Sequence, residues 1–256
     1  MNLHMDGKVA LITGVSRERG IGAAIAEALA RAGATIFTTY YRPFDATTAW
    51  GSADQEPEAI LAELRAHGIA AAGVEADLAD PSAPAQIIAA ANQAFGHVDI
   101  LINNAAYYQA ATLEALTGAL LDQHYAVNVR GTLLLCQAFA DQHDGRAGGR
   151  IINLTSGQGV TAMPAELPYV TTKAAIEGLT LTLSAALASK RITVNAVDPG
   201  ATDTGWISEH LHAELVGQAP FGRIGLPDDA ARLIGFLVSD EGQWITGQII
   251  RSRGGA

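Results

Sequence analysis

The sequence predicts an α/β protein: a doubly wound parallel sheet of seven strands with helices on both faces. Two observations carry this. Short apolar runs alternate with amphipathic stretches along the chain, the pattern that βαβ units leave in a sequence. No linker, repeat or low-complexity stretch interrupts the alternation, so residues 1–256 read as one domain. Right-handed crossovers then place a ligand crevice at the carboxyl ends of the strands.

The elements follow in order. Val9–Thr13 reads as the first strand. Gly20–Ala32 reads as a helix with Ile21, Ala24, Ile25, Ala28 and Leu29 on one face and Gly33 as its stop. Thr35–Tyr40 is the second strand, Glu58–His67 a helix ended by Gly68, and Ala70–Glu75 the third strand. Asp80 is expected to cap a helix with Pro81 in its first turn. Asp99–Asn103 is the fourth strand, followed by a long helix over about Leu120–Asp141. Arg150–Thr155, Thr193–Val197 and Gln248–Arg251 complete the strands. Tyr169–Ser189 and Pro227–Val238 read as the helices between them, and Asp203–Pro220 as a mobile cover of short helical pieces.

Composition narrows the function. The formal net charge is −10 with no basic face, which argues against nucleic acid as a partner. No run is long and apolar enough to span a membrane, and the polar start of the chain lacks a secretory core, so a cytoplasmic setting is expected. The single cysteine, Cys136, lies in an apolar helical run and reads as a small buried hydrophobe. The seven histidines show no ligand spacing, and no metal site is expected.

Thr13-Gly14-Val15-Ser16-Arg17-Glu18-Arg19-Gly20-Ile21-Gly22 joins the first strand to the first helix. Glycines at such a turn let the backbone approach a pyrophosphate, which the helix N-terminus then holds. Further on, Tyr169-Val170-Thr171-Thr172-Lys173 sets a phenol and an ammonium at i and i+4 of one helix. A neighbouring cation is expected to lower the phenol's pKa toward the operating range, making it an acid–base group for a reacting oxygen. Ser156, at the end of the fifth strand, offers a hydroxyl to the same oxygen.

With these residues in view, the chain resembles the short-chain dehydrogenase/reductase family over nearly its whole length, and bacterial 3-oxoacyl-carrier-protein reductases most. The family's T-G-x-x-x-G-x-G turn is present with two extra residues before Gly20. Asp77-Leu78, Asn103-Asn104-Ala105-Ala106, Pro199-Gly200 and Thr204 match further family motifs in order, with alanine at Ala106 where the family has glycine. The resemblance implies a Rossmann-type fold and hydride transfer between nicotinamide and a carbonyl or secondary alcohol. It assigns catalysis to Asn128, Ser156, Tyr169 and Lys173, with Asn128 holding a relay water and Lys173 also binding the nicotinamide ribose. Cofactor contacts are expected from Gly14, Ser16, Arg17, Arg19, Gly20, Ile21, Gly22, Tyr40, Arg42, Asp77, Leu78, Asn104, Ala105, Tyr169, Lys173, Pro199, Gly200 and Thr204.

The second strand ends in Thr38-Thr39-Tyr40-Tyr41-Arg42 without the acid that selects a free 2′-hydroxyl. Arg17, Arg19 and Arg42 are expected around a 2′-phosphate, so NADP(H) is the preferred cofactor and NAD(H) the alternative. Residues 42–57 exceed the family's short turn and are expected to fold over the adenine ribose, with Phe44 and Trp50 ordering them. Tyr107, Gln158, Met163, Glu166 and Trp206 are the candidate substrate wall. The substrate expected is a small molecule or an acyl thioester, reduced in the manner of 3-oxoacyl reductases; a sugar, steroid or polyol dehydrogenase is the alternative. An enoyl reductase and a non-catalytic nucleotide sensor are further alternatives, and three residues between Tyr169 and Lys173, against six in enoyl reductases, favour carbonyl chemistry. Lys190, Arg191, Arg146 and Arg150 are candidates for docking an acidic carrier protein. The apolar second face of the Tyr169–Ser189 helix suggests a homodimer or homotetramer.

Overall fold

The computed structural model describes residues 3–48, 51, 53 and 55–255. Seven strands form one sheet, β1 (Val9–Ile12), β2 (Thr35–Tyr40), β3 (Ala71–Glu75), β4 (Ile100–Asn103), β5 (Gly149–Leu154), β6 (Ile192–Asp198) and β7 (Ile249–Arg251). Their order is β3-β2-β1-β4-β5-β6-β7, with every pairing parallel. The order reverses between β1 and β4, and the crevice opens there, beyond the carboxyl ends.

Strand residues alternate between two apolar layers, as a period of two requires. Ala10 and Ile12 of β1 and Ile100 and Ile102 of β4 pack with α1 (Ile21–Arg31) on one face. Leu11 and Leu101 point the other way, into a core with Leu135 and Phe139. The first face is completed by α3 (Glu56–Ala66) and α9 (Pro227–Val238), whose Ile60, Leu61, Ile234 and Leu237 are buried there; between β2 and α3 comes a four-residue helix, α2 (Arg42–Asp45). The second face carries α4 (Ala83–Phe95), α5 (Gly118–Tyr125), α6 (Thr132–Gln142) and α7 (Leu167–Leu187), and α8 (Glu209–Gln218) follows β6. Cys136 is buried in this second core, where desolvation pushes its thiol up to about 12.

Several elements depart from the sequence reading. The long helix over Leu120–Asp141 is broken by a π-helical stretch, Ala126–Gly131, that carries Asn128. Gly131 presses on Leu78 there: a Cβ on Gly131 would lie 2.7 Å from the Leu78 carbonyl oxygen. Asp80 closes a turn, accepting from the Ser82 amide, and α4 starts after it with Pro84, not Pro81, in its first turn. Residues 42–57 hold the short helix α2, and the cover segment holds one ten-residue helix, α8. Trp50 lies outside the described residues.

Candidate active site

A cleft of about 640 Å³ runs along the carboxyl ends of β1, β2 and β4, a size usual for a small-molecule site. Gly14, Ser16, Arg17, Gly20, Ile21 and Gly22 form one wall. Gly14 has φ +73°, and a Cβ on it would lie 2.7 Å from the Ala105 Cα. A Cβ on Gly22 would lie 2.8 Å from the Asn104 Nδ2 and 2.9 Å from the Gly14 oxygen. The Asn104 amide donates to the Thr13 and Gly14 carbonyls, at 2.8 and 3.1 Å, and the Asn104 and Ala105 N–H groups donate to the Thr13 hydroxyl. The glycine turn is thereby tied to the end of β4. Tyr40, Asp77, Leu78 and Thr204 also line the cleft. Pro199 and Gly200 follow β6, and Gly200, at φ +66°, packs against Arg253.

Two of the three expected arginines are otherwise engaged. Arg42 forms a two-pronged ion pair with Glu75 through Nε, at 3.0 Å, and Nη2. Arg19 pairs with Asp203 through two bonds of 2.7 and 2.8 Å. Arg17 donates to the Thr204 carbonyl at 2.9 Å and alone of the three lines the cleft. The expectation of no acid here is also corrected. Asp45 reaches back from α2 into the cleft wall, hydrogen-bonds Ser16 and lies near Arg17. Its position five residues beyond β2 hides it from a reading of the strand end.

The candidate catalytic groups converge beyond β5. Tyr169, in the first turn of α7, lies beside Ser156, which follows the end of β5. The Lys173 Nζ lies 5.4 Å from the Tyr169 ring centroid and donates to the Leu154 carbonyl at 2.8 Å. Burial pushes the Tyr169 phenol up, Glu166 adds to the rise, and Ser156 opposes it. The expected lowering by Lys173 is overridden by this burial. Burial brings Lys173 itself down to about 8. Asn128 accepts from the Tyr107 N–H at 2.7 Å and donates to the Tyr107 carbonyl at 2.9 Å and the Thr172 hydroxyl at 3.0 Å. Its amide joins the β4 loop to α7.

The candidate substrate residues divide. Glu166 sits at the start of α7 beside Tyr169. Tyr107 turns into the cleft instead, its ring 5.2 Å from Phe44 and 4.8 Å from His124. Tyr108, which the sequence reading passed over, meets the Tyr169 ring edge-on at 5.3 Å. Neighbours in an extended loop point opposite ways, and sequence alone does not say which faces the site. Gln158 donates to Thr155 and Glu177. Met163 is half-buried, its carbonyl accepting from the Glu166 N–H, and Trp206 is anchored on the Thr202 carbonyl. The expected carrier-protein residues are misplaced. Lys190 and Arg191 precede β6, and Arg146 and Arg150 lie at the start of β5. All four lie at the amino ends of parallel strands, opposite the cleft, and Arg150 is buried.

A family model described as enoyl-(acyl carrier protein) reductase matches residues 14–256. An oxidoreductase of Bacillus subtilis, YjdA, is 44% identical over 98% of this chain and 98% of its own length. The 3-oxoacyl-[acyl-carrier-protein] reductase FabG of Staphylococcus epidermidis is 36% identical over 97% and 98%. The chain belongs to the short-chain dehydrogenase/reductase family. A short-chain dehydrogenase from Burkholderia cenocepacia, solved in complex with NADP, superposes with a TM-score of 0.88 at 36% identity, covering 98% of both chains. Like other short-chain dehydrogenases/reductases, the chain is an oxidoreductase with a Rossmann-type sheet.

Proposed function

We propose that the chain reduces a carbonyl group to a secondary alcohol with NADPH. The observation that carries this reading is the placement of Ser156 and the buried Lys173 against Tyr169, next to a cleft walled by glycines. The cleft fits a dinucleotide: Gly14 and Gly22 have no room for a Cβ against Ala105 and Asn104, so the turn packs on the end of β4 and lines the cleft at the N-terminus of α1, where a pyrophosphate would bind. Gly14, Ser16, Arg17, Gly20, Ile21 and Gly22 would hold the pyrophosphate end. Tyr40, Asp77, Leu78, Asn104 and Ala105 would hold the adenosine, and Lys173, Pro199, Gly200 and Thr204 the nicotinamide end. When bound, NADPH supplies the hydride.

Tyr169 gives its proton to the carbonyl oxygen as negative charge develops there, and Ser156 hydrogen-bonds the same oxygen. Burial and Glu166 push the phenol up, toward the protonated form that a proton donor needs. The Leu154 carbonyl holds the Lys173 ammonium beneath the ring. Asn128 acts as a positioning residue through Tyr107 and Thr172.

Arg17 is the cation proposed for the 2′-phosphate, and the NADP complex of the Burkholderia relative supports NADP(H) as the cofactor. Asp45 beside it is the feature that favours NAD(H) as the alternative. The Tyr169–Lys173 spacing supports carbonyl over enoyl reduction. The likeness to FabG supports a 3-oxoacyl thioester, while the position of Lys190, Arg191, Arg146 and Arg150 opposes docking of a carrier protein at the cleft. The test follows NADPH and NADH oxidation at 340 nm against acyl thioesters, sugar ketones, hydroxyketones and aromatic ketones. Turnover of a carbonyl with NADPH preferred is expected; turnover of enoyl substrates alone would refute the reading.

A further inference from the structure

The wall facing Tyr169 is built from Tyr108 and Glu166. The segment after β4 is fixed at both ends. Asn128 grips the N–H and the carbonyl of Tyr107. Four residues on, the Ala111 N–H donates to the Ala165 carbonyl at 2.8 Å, and the Leu167 N–H donates back to the Ala111 carbonyl at 3.3 Å. This parallel bridge pairs Ala111 with Glu166. It brings Glu166 beside Tyr108, whose ring stands edge-on to Tyr169.

Among the described residues, no lysine, arginine or histidine pairs with Glu166. A carboxylate offers about four acceptor positions. Partial burial pushes the Glu166 carboxyl up, as expected where solvation is incomplete and no cation compensates. Such a group, beside the proton donor, is costly against an alkyl chain and favourable against a hydroxyl. We propose that Tyr108 and Glu166 select the substrate, and that it is a hydroxyketone whose hydroxyl donates to Glu166 while its carbonyl lies on Ser156 and Tyr169. The assignment rests on the carbonyl-reductase reading and replaces a plain acyl chain by a hydroxyl-bearing one.

The experiment compares kcat/KM for matched pairs, 2-butanone against 1-hydroxy-2-butanone and 4-hydroxy-2-butanone, with acetoacetyl-CoA alongside. Wild-type enzyme is expected to prefer the better hydroxyketone over the plain ketone by about 10-fold or more, the scale of one hydrogen bond to a charged group. Glu166→Gln is expected to bring that ratio close to one. Tyr108→Phe, which removes only a hydroxyl, is expected to reduce it by a smaller factor and covers the case in which Glu166→Gln fails to fold. NADPH fluorescence titration of each variant reports that the cofactor cleft is intact. A wild-type ratio near one, a ratio unchanged in both variants, or a preference for acetoacetyl-CoA over both hydroxyketones would overturn the assignment while leaving the carbonyl-reductase reading in place. No NADPH oxidation with these carbonyls or with the sugar and aromatic ketones, in a protein that binds NADPH, would remove that reading and the assignment with it.

Discussion

At the scale of single residues, Lys173 gives the account a pH signature. Burial takes its ammonium from an ordinary 10.5 down to about 8, so the charge is present below that pH and lost above it. Reductive kcat/KM is therefore expected to fall as pH rises past about 8. In Lys173→Arg the guanidinium stays charged throughout this range, so the falling limb is expected to move to higher pH; a limb that stays in place would assign it to another group. Ser156, Tyr169 and Lys173 were legible in the sequence because helical spacing and a strand end place them. Tyr108 and Asp45 were not. Choosing Tyr108 over Tyr107 requires the bridge to Glu166, and Asp45 enters the cleft only because α2 folds back. The acids that occupy Arg42 and Arg19 come from β3 and the segment after β6, contacts between parts of the chain far apart in sequence.

At the scale of elements, the strands were read to within a residue or so at each end, because alternating buried faces leave a period that survives without tertiary information. The π-helical stretch was not. Nothing local marks Ala126–Gly131 as different from α-helix; the close packing of Gly131 on Leu78 is a tertiary contact. The glycine turn is the element proposed to hold the cofactor. In Gly22→Ala the added methyl meets Asn104 and the Gly14 carbonyl oxygen, so one of them must shift and the turn loses its tie to β4. NADPH affinity is expected to weaken at least about tenfold, or about 1.4 kcal/mol, in a fluorescence titration. An unchanged dissociation constant would detach the turn from the cofactor.

At the scale of the whole molecule, the crevice at the reversal of strand order followed from the βαβ pattern, whereas surface electrostatics did not. Basic residues counted along the chain say nothing about which end of the sheet they occupy. Leu181 on α7 is 62% exposed, and Tyr125 and Leu133, from α5 and α6 on the same face of the sheet, are 54% and 40% exposed. Apolar exposure on this scale invites a partner. A homodimer through this face is expected in light scattering at micromolar concentration, with Leu181→Glu shifting it toward monomer; a monomeric wild type would contradict it. The central claim, proton delivery by Tyr169 to a carbonyl reduced by NADPH, is tested most directly by Tyr169→Phe. NADPH oxidation is followed on a carbonyl that the wild type turns over, with NADPH binding measured on the same preparation. The account expects kcat to fall by about 100-fold or more while the NADPH dissociation constant stays within about twofold, less than 0.5 kcal/mol. Wild-type kcat in Tyr169→Phe would contradict it.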